Sequence, residues 1–247
     1  MPAVSARALR TVSALHFPNV WRAPELARAG ERVVATGHAA LDAQLPGGGW
    51  PVGNLIEILQ RRAGRHAWQL LLPSLVHATA DEAGPIVLVN PPHLPFGPAL
   101  KAQGLAPSRL LKVQAPRAQA AMWAGEQALR CADVAGVMAW LPRCRATDLR
   151  RLHLAAAQHG KLLFVFRDIE WKDESSPARV RIELEETEEL RVHILKRRGP
   201  PLAETIELPS QPMRLRHLLE SRRTRSAATP TNTDRSHVLD RTLTLTS

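Results

Sequence analysis

The sequence predicts an α/β fold: a mainly parallel sheet covered by helices, with an antiparallel hairpin at its C-terminal end. Three observations carry this. Four short apolar runs, at 85–89, 110–113, 134–140 and 161–166, alternate with segments of helical length at 97–103, 117–131 and 146–159. Strands apolar on both faces and separated by helices belong to a parallel sheet packed on both sides. After Arg167 the pattern changes: residues 179–185 (RVRIELE) and 190–196 (LRVHILK) alternate with period two around the acidic stretch 186–189, which predicts a hairpin added to the sheet edge.

Taken from the start, residues 20–30 (VWRAPELARAG) form an amphipathic helix closed by Gly30, and residues 37–45 form a second short helix that stops before Pro46 and a run of three glycines. Residues 54–59 (NLIEIL) follow as a strand. Residues 66–80 have the apolar density of a buried helix, with a kink expected at Pro73. Residues 212–220 suit a short helix, and 221–247 are rich in Thr, Ser and Arg, the composition of a disordered tail whose last apolar positions, 238–245, could fold onto a partner. The expected organisation is an N-terminal helical extension (1–35), an α/β domain (36–210) and a basic tail (211–247).

At 247 residues with 45% hydrophobic side chains, the chain can bury one large core. It has no run of about 18 apolar residues, and its first twenty residues lack the apolar stretch of a secretory signal. Cys131 and Cys144 are the only cysteines and do not form a CxxC pair, so a reducing cytoplasm is expected. The net charge of +10 favours a polyanion or an acidic partner. The basic residues are mostly Arg, Ala is abundant and Tyr is absent, a pattern of compositional bias that weakens the charge as an argument for nucleic acid. The histidines, His66, His77, His93, His153, His159 and His193 among them, lack HxxxH or HExxH spacing, so no metal site is expected.

Candidate chemistry concentrates in residues 36–67, where a short helix leads through a glycine turn into a strand, a loop and a helix. In a phosphate-binding NTPase that loop reads GxxxxGK[ST]: its amides wrap the phosphates, its lysine meets their charge and its hydroxyl holds Mg²⁺. Here the loop holds Gln60, Arg61, Arg62, Ala63, Gly64, Arg65, His66 and Ala67. Gln60 replaces the first glycine, His66 or Arg65 falls at the lysine according to the alignment, and no hydroxyl remains. Arginine is not a simple substitute for the lysine point charge.

The run Thr36-Gly37, Leu41-Asp42, Leu45, Gly47-Gly48-Gly49-Trp50-Pro51-Val52-Gly53-Asn54-Leu55-Ile56-Glu57-Ile58 resembles the approach to the phosphate loop in the RecA recombinase family. With Asn90-Pro91-Pro92-His93-Leu94-Pro95-Phe96 and Leu195-Lys196-Arg197-Arg198-Gly199-Pro200, it resembles more closely the ImuA family, RecA-like and SulA-like accessory proteins of bacterial mutagenic translesion synthesis. These motifs span most of residues 15–208. The resemblance implies a RecA-like core in which the water-activating glutamate falls on Pro92 and the metal-organising aspartate on Trp140. Hydrolysis needs metal, phosphate clamp and positioned water together, so the expectation is a non-enzyme without a cofactor, with weak ATP binding left open.

The resemblance also implies partners: an ImuB-like Y-family polymerase homologue, an error-prone C-family polymerase and RecA itself, in an SOS-induced cytoplasmic complex associated with the nucleoid. Trp50, Lys196, Arg197 and Arg198 are the candidate DNA or partner contacts. Packing under the glycine turn competes with base stacking for Trp50, and a solvated strand end competes with phosphate contact for the three basic residues. Alternatives are direct DNA binding, a SulA-like role in cell division, and a surviving ATPase with unorthodox ligands.

Overall fold

The computed structural model describes residues 32–62, 66–81, 84–186, 189–200, 202 and 204–208. The expected helices at 20–30 and 212–220, the tail, and Gly64 and Arg65 lie outside the described residues. The chain divides into a unit ending at Leu208 and a second from Pro209 onward.

In chain order the elements are β1 (Val33–Val34), α1 (Ala39–Asp42), β2 (Trp50–Pro51), β3 (Leu55–Gln60), α2 (Ala67–Asp81), β4 (Ile86–Val89), α3 (Gly97–Ala102), β5 (Leu110–Val113), α4 (Ala118–Arg130), β6 (Gly136–Trp140), α5 (Ala146–His159), β7 (Leu162–Asp168), β8 (Val180–Glu186), β9 (Leu190–Lys196) and β10 (Thr205–Leu208). A one-turn 3₁₀ helix, Ile169–Trp171, follows β7. The main sheet has eight strands in the order β10-β9-β8-β3-β7-β6-β4-β5. The pairs β3–β7, β3–β8, β6–β7, β4–β6 and β4–β5 are parallel, while β9 is antiparallel to both β8 and β10.

Period-two alternation assigns the strand side chains to two cores. Ile56, Ile58, Leu88, Met138, Phe164, Phe166 and Ile182 face one side with Leu70, Leu71 and Leu75 of α2. Leu55, Val87, Val137, Leu163 and Val165 face the other, under Leu129 of α4 and Leu149 and Leu152 of α5. The predicted hairpin, β8–β9, extends the sheet from the β3 side of its parallel strands, and β10 adds one more antiparallel strand outside β9. The expected alternation missed the ribbon β1–β2, whose two-residue strands are too short to show a period, and β10, which holds only two apolar residues.

Local chemistry explains the entry to β3. Thr36 and Asp42 frame α1: the Asp42 carboxylate accepts the Thr36 N–H at 2.8 Å, and the Thr36 hydroxyl accepts the His38 N–H at 3.0 Å. The glycine turn then crosses β1 so closely that a Cβ on Gly49 would lie 2.3 Å from the Val34 carbonyl oxygen. Gly47 and Gly48 have φ of +82° and +79°, a region open to glycine at little cost. Pro73 lies inside α2 and cannot donate to the preceding turn. The His38 ring meets that stretch, with Nε2 3.1 Å from the Leu70 carbonyl oxygen.

Candidate functional site

In open α/β sheets, ligands are bound outside the carboxyl ends of the strands. At this rim β3 ends at Gln60, which is buried and in register with Asp168 at the end of β7. Arg61 and Arg62 follow, both exposed. Arg61 lines a groove of about 390 Å³ on the hairpin side, together with Lys172, Glu183, Glu185 and His193. Lys172 pairs with Glu183 at 2.7 Å, and His193 approaches Glu185 at 3.3 Å. Arg61, the first residue after β3, thus faces a groove that carries carboxylates.

His66, at the lysine position of the ungapped alignment, is buried just before α2. Its Nδ1 is 3.1 Å from the Gln69 side-chain oxygen, and its Nε2 is buried without a hydrogen-bond partner.

Trp140, at the position of the metal-organising aspartate, is buried at the end of β6. Its ring stacks on Phe166 with centroids 4.5 Å apart and planes 6° apart, and its indole N–H has no partner. Pro92 is exposed on the loop after β4. That loop leaves the sheet through Asn90, the one described non-glycine residue with positive φ, at 51°. The Asn90 side chain donates to the Ala115 carbonyl at 2.8 Å and accepts the Ala115 N–H at 2.7 Å, which fastens the loop to the chain just after β5.

The other candidate contacts are mostly engaged inside the fold. Trp50 is completely buried, edge-on to Phe164 at 5.6 Å, so packing and not base stacking accounts for it. The Lys196 ammonium donates to the Ser176 carbonyl at 2.8 Å, and the Arg197 guanidinium donates to the Gln44 carbonyl and to the Gln44 side-chain oxygen. Arg198 is exposed.

The structure adds a cluster that the motif analysis did not single out. Glu57, in the middle of β3, has no solvent exposure. Its Oε1 accepts from Arg167 at 2.7 Å and its Oε2 from Arg181 at 2.9 Å. Arg167 reaches further, to Glu174 at 2.9 Å and to the Cys144 carbonyl, and lies over the Trp171 ring at 4.5 Å. Arg181 donates to the Lys172 carbonyl at 2.7 Å and to the Trp171 carbonyl. The two guanidiniums thus tie the loops after β6 and β7 to the centre of β3. A carboxylate that accepts from an Arg on each oxygen is engaged by charge-assisted hydrogen bonds on both sides. The visible signal was a glutamate inside an apolar strand, which has to be paired if buried. Beside this cluster, burial pushes the Cys144 thiol up to about 12, with nearby carboxylates adding and Arg167 opposing, so it is an inert thiol.

Among the described residues no group of three or more His, Cys, Asp or Glu could hold a metal ion, and no helix is long and apolar enough to cross a membrane. No protein-family model matches the chain, and no curated protein matches it.

Proposed function

We propose that this protein is a non-catalytic accessory factor of SOS-induced mutagenic translesion synthesis, built on a RecA-like core and acting by docking an ImuB-like Y-family polymerase homologue. The observation that carries this reading is the combination at the strand ends. A sheet of mostly parallel, helix-covered strands with an antiparallel pair holds Gln60, Pro92 and Trp140 where the resemblance calls for a phosphate-loop glycine, a water-activating glutamate and a metal-organising aspartate. The buried, stacked Trp140 ring supports it further, because it fills the end of β6 with apolar area where a metal site needs an open carboxylate. An error-prone C-family polymerase and RecA complete the proposed complex, which would form in the cytoplasm at the nucleoid.

Direct DNA binding is the weaker reading. Lys196 and Arg197 already have intramolecular acceptors, and Arg61 faces a groove with carboxylates. The test is co-purification of the full chain with an ImuB-like polymerase homologue. Co-elution that survives 0.5 M salt is expected. Failure to associate, together with DNA binding that weakens steeply as salt rises, would replace this reading with the DNA-binding one.

A further inference from the structure

We infer that the outer edge of β5, with the proline-rich loop beside it, is a docking site for an extended partner segment that alternates apolar and acidic residues. β5 ends the sheet order, so among the described residues nothing pairs with its outer side. A free edge is a row of unpaired amides and carbonyls that can receive one more strand.

The side chains here are apolar where a monomer would be polar. Leu111 is 52% exposed, Leu94 58% and Phe96 72%. The loop that carries Leu94 and Phe96 includes Pro91, Pro92 and Pro95 and is fastened just beyond the end of β5 by the two Asn90–Ala115 hydrogen bonds. An apolar surface held stiffly in place loses little entropy when a partner covers it.

Charge selects the partner. No Asp or Glu occurs between Glu82 and Glu126, whereas Lys101, Arg109, Lys112 and Arg117 all do. Lys112 lies on the edge strand itself and is exposed, as are Lys101 and Arg117. Lysine on an edge strand also guards against edge-to-edge pairing. Two copies meeting β5 to β5 would bring like charges together, while an acidic segment turns the same lysine into an attraction. The opposite edge of the sheet is acidic, but the exposed residues there are Glu204, Thr205 and Glu207. A second copy offering that edge would bring only polar exposed side chains to Leu111, and for this reason the site fits a different chain, with apolar residues between its acids.

The site rests on the docking reading above only for the identity of its partner. The test uses the full chain and a fluorescent ten-residue peptide alternating Glu with Leu, Val and Phe, read by fluorescence anisotropy, with amide exchange measured in parallel. Binding is expected to slow exchange at residues 110–113, to weaken at least tenfold in Leu111→Asp and in Lys112→Glu, and to be lost when the peptide's Glu residues become Lys. Both substituted residues are exposed, so an unchanged unfolding midpoint confirms that the fold survives. Three results would overturn the inference: no binding to the wild-type chain, binding unaffected by both substitutions, or residues 110–113 already protected in the free chain. Sedimentation showing a self-association that Leu111→Asp abolishes would also overturn it, in favour of a second copy. Peptide binding with failed co-purification would refute the proposed function and leave the site standing; the reverse outcome would refute the site alone.

Discussion

The tip and the middle of β3 treat charge in opposite ways. In the middle, Glu57 is fully buried with an arginine on each carboxylate oxygen, and the arginines donate further to backbone carbonyls and Glu174, although Arg167 Nε is buried without an acceptor. At the tip, Arg61 and Arg62 are exposed after a buried glutamine. The middle is a closed network whose members position one another. The tip lacks the hydroxyl and the lysine that would make an open, phosphate-ready loop. What the middle of the strand carries is internal order, with two loops anchored to its centre.

Substitutions sharpen this contrast, and the largest effect is expected at the middle. Glu57→Ala leaves Arg167 and Arg181 buried without their shared anion and should cost about 3–5 kcal/mol, seen as a large fall in the denaturation midpoint. Replacing all three members together with apolar residues of similar volume should recover most of that loss; an equally severe defect would mean that the network has a role beyond mutual neutralisation. Next comes Asn90→Ala, which removes two hydrogen bonds at a residue of positive φ and should cost about 1–3 kcal/mol in urea unfolding.

A smaller effect is expected at the start of β3, where the Leu55 N–H donates to His153 Nδ1 at 3.1 Å. Burial holds the His153 pKa below the usual imidazole value, with Arg179 and Lys196 pushing the same way. The unfolded chain therefore takes up the proton more readily. Stability is fully present above the unfolded value of about 6.5 and declines as pH falls through the folded one. His38, lowered chiefly by burial, adds to the same trend. The melting temperature should drop between pH 7 and pH 5, and His153→Gln should flatten that slope while costing about 1 kcal/mol at pH 7. The smallest effect belongs to the tip: Arg61→Ala should change stability by no more than about 0.5 kcal/mol in the same assay.

Much of the sheet was legible because its signal is periodic. The stretches 110–113, 146–159 and 190–196 coincide with β5, α5 and β9, since apolar alternation and helical spacing extend over whole elements there. The β1–β2 ribbon was not legible, because two residues cannot establish a period, and β10 was not, because its four residues hold only two apolar side chains and form no apolar run. At the candidate site, the roles given to the positions of Gln60, Pro92 and Trp140 follow from the resemblance alone, and what the structure adds is that Gln60 and Trp140 are buried and Pro92 is exposed. The engagement of Lys196 and Arg197 was not legible, because their acceptors, Ser176 and Gln44, come from other parts of the chain. The Glu57 network was half visible: the buried acid announces the need for cations, and only the folded register reveals which two supply them.

The most direct test of a β3 tip without nucleotide chemistry is steady-state phosphate release by the full chain at millimolar ATP and Mg²⁺. Release indistinguishable from that of buffer is the expected result. Magnesium-dependent turnover that disappears in an Arg65→Ala, His66→Ala double variant would contradict the account and make the loop after Gln60 a working, if unorthodox, phosphate site.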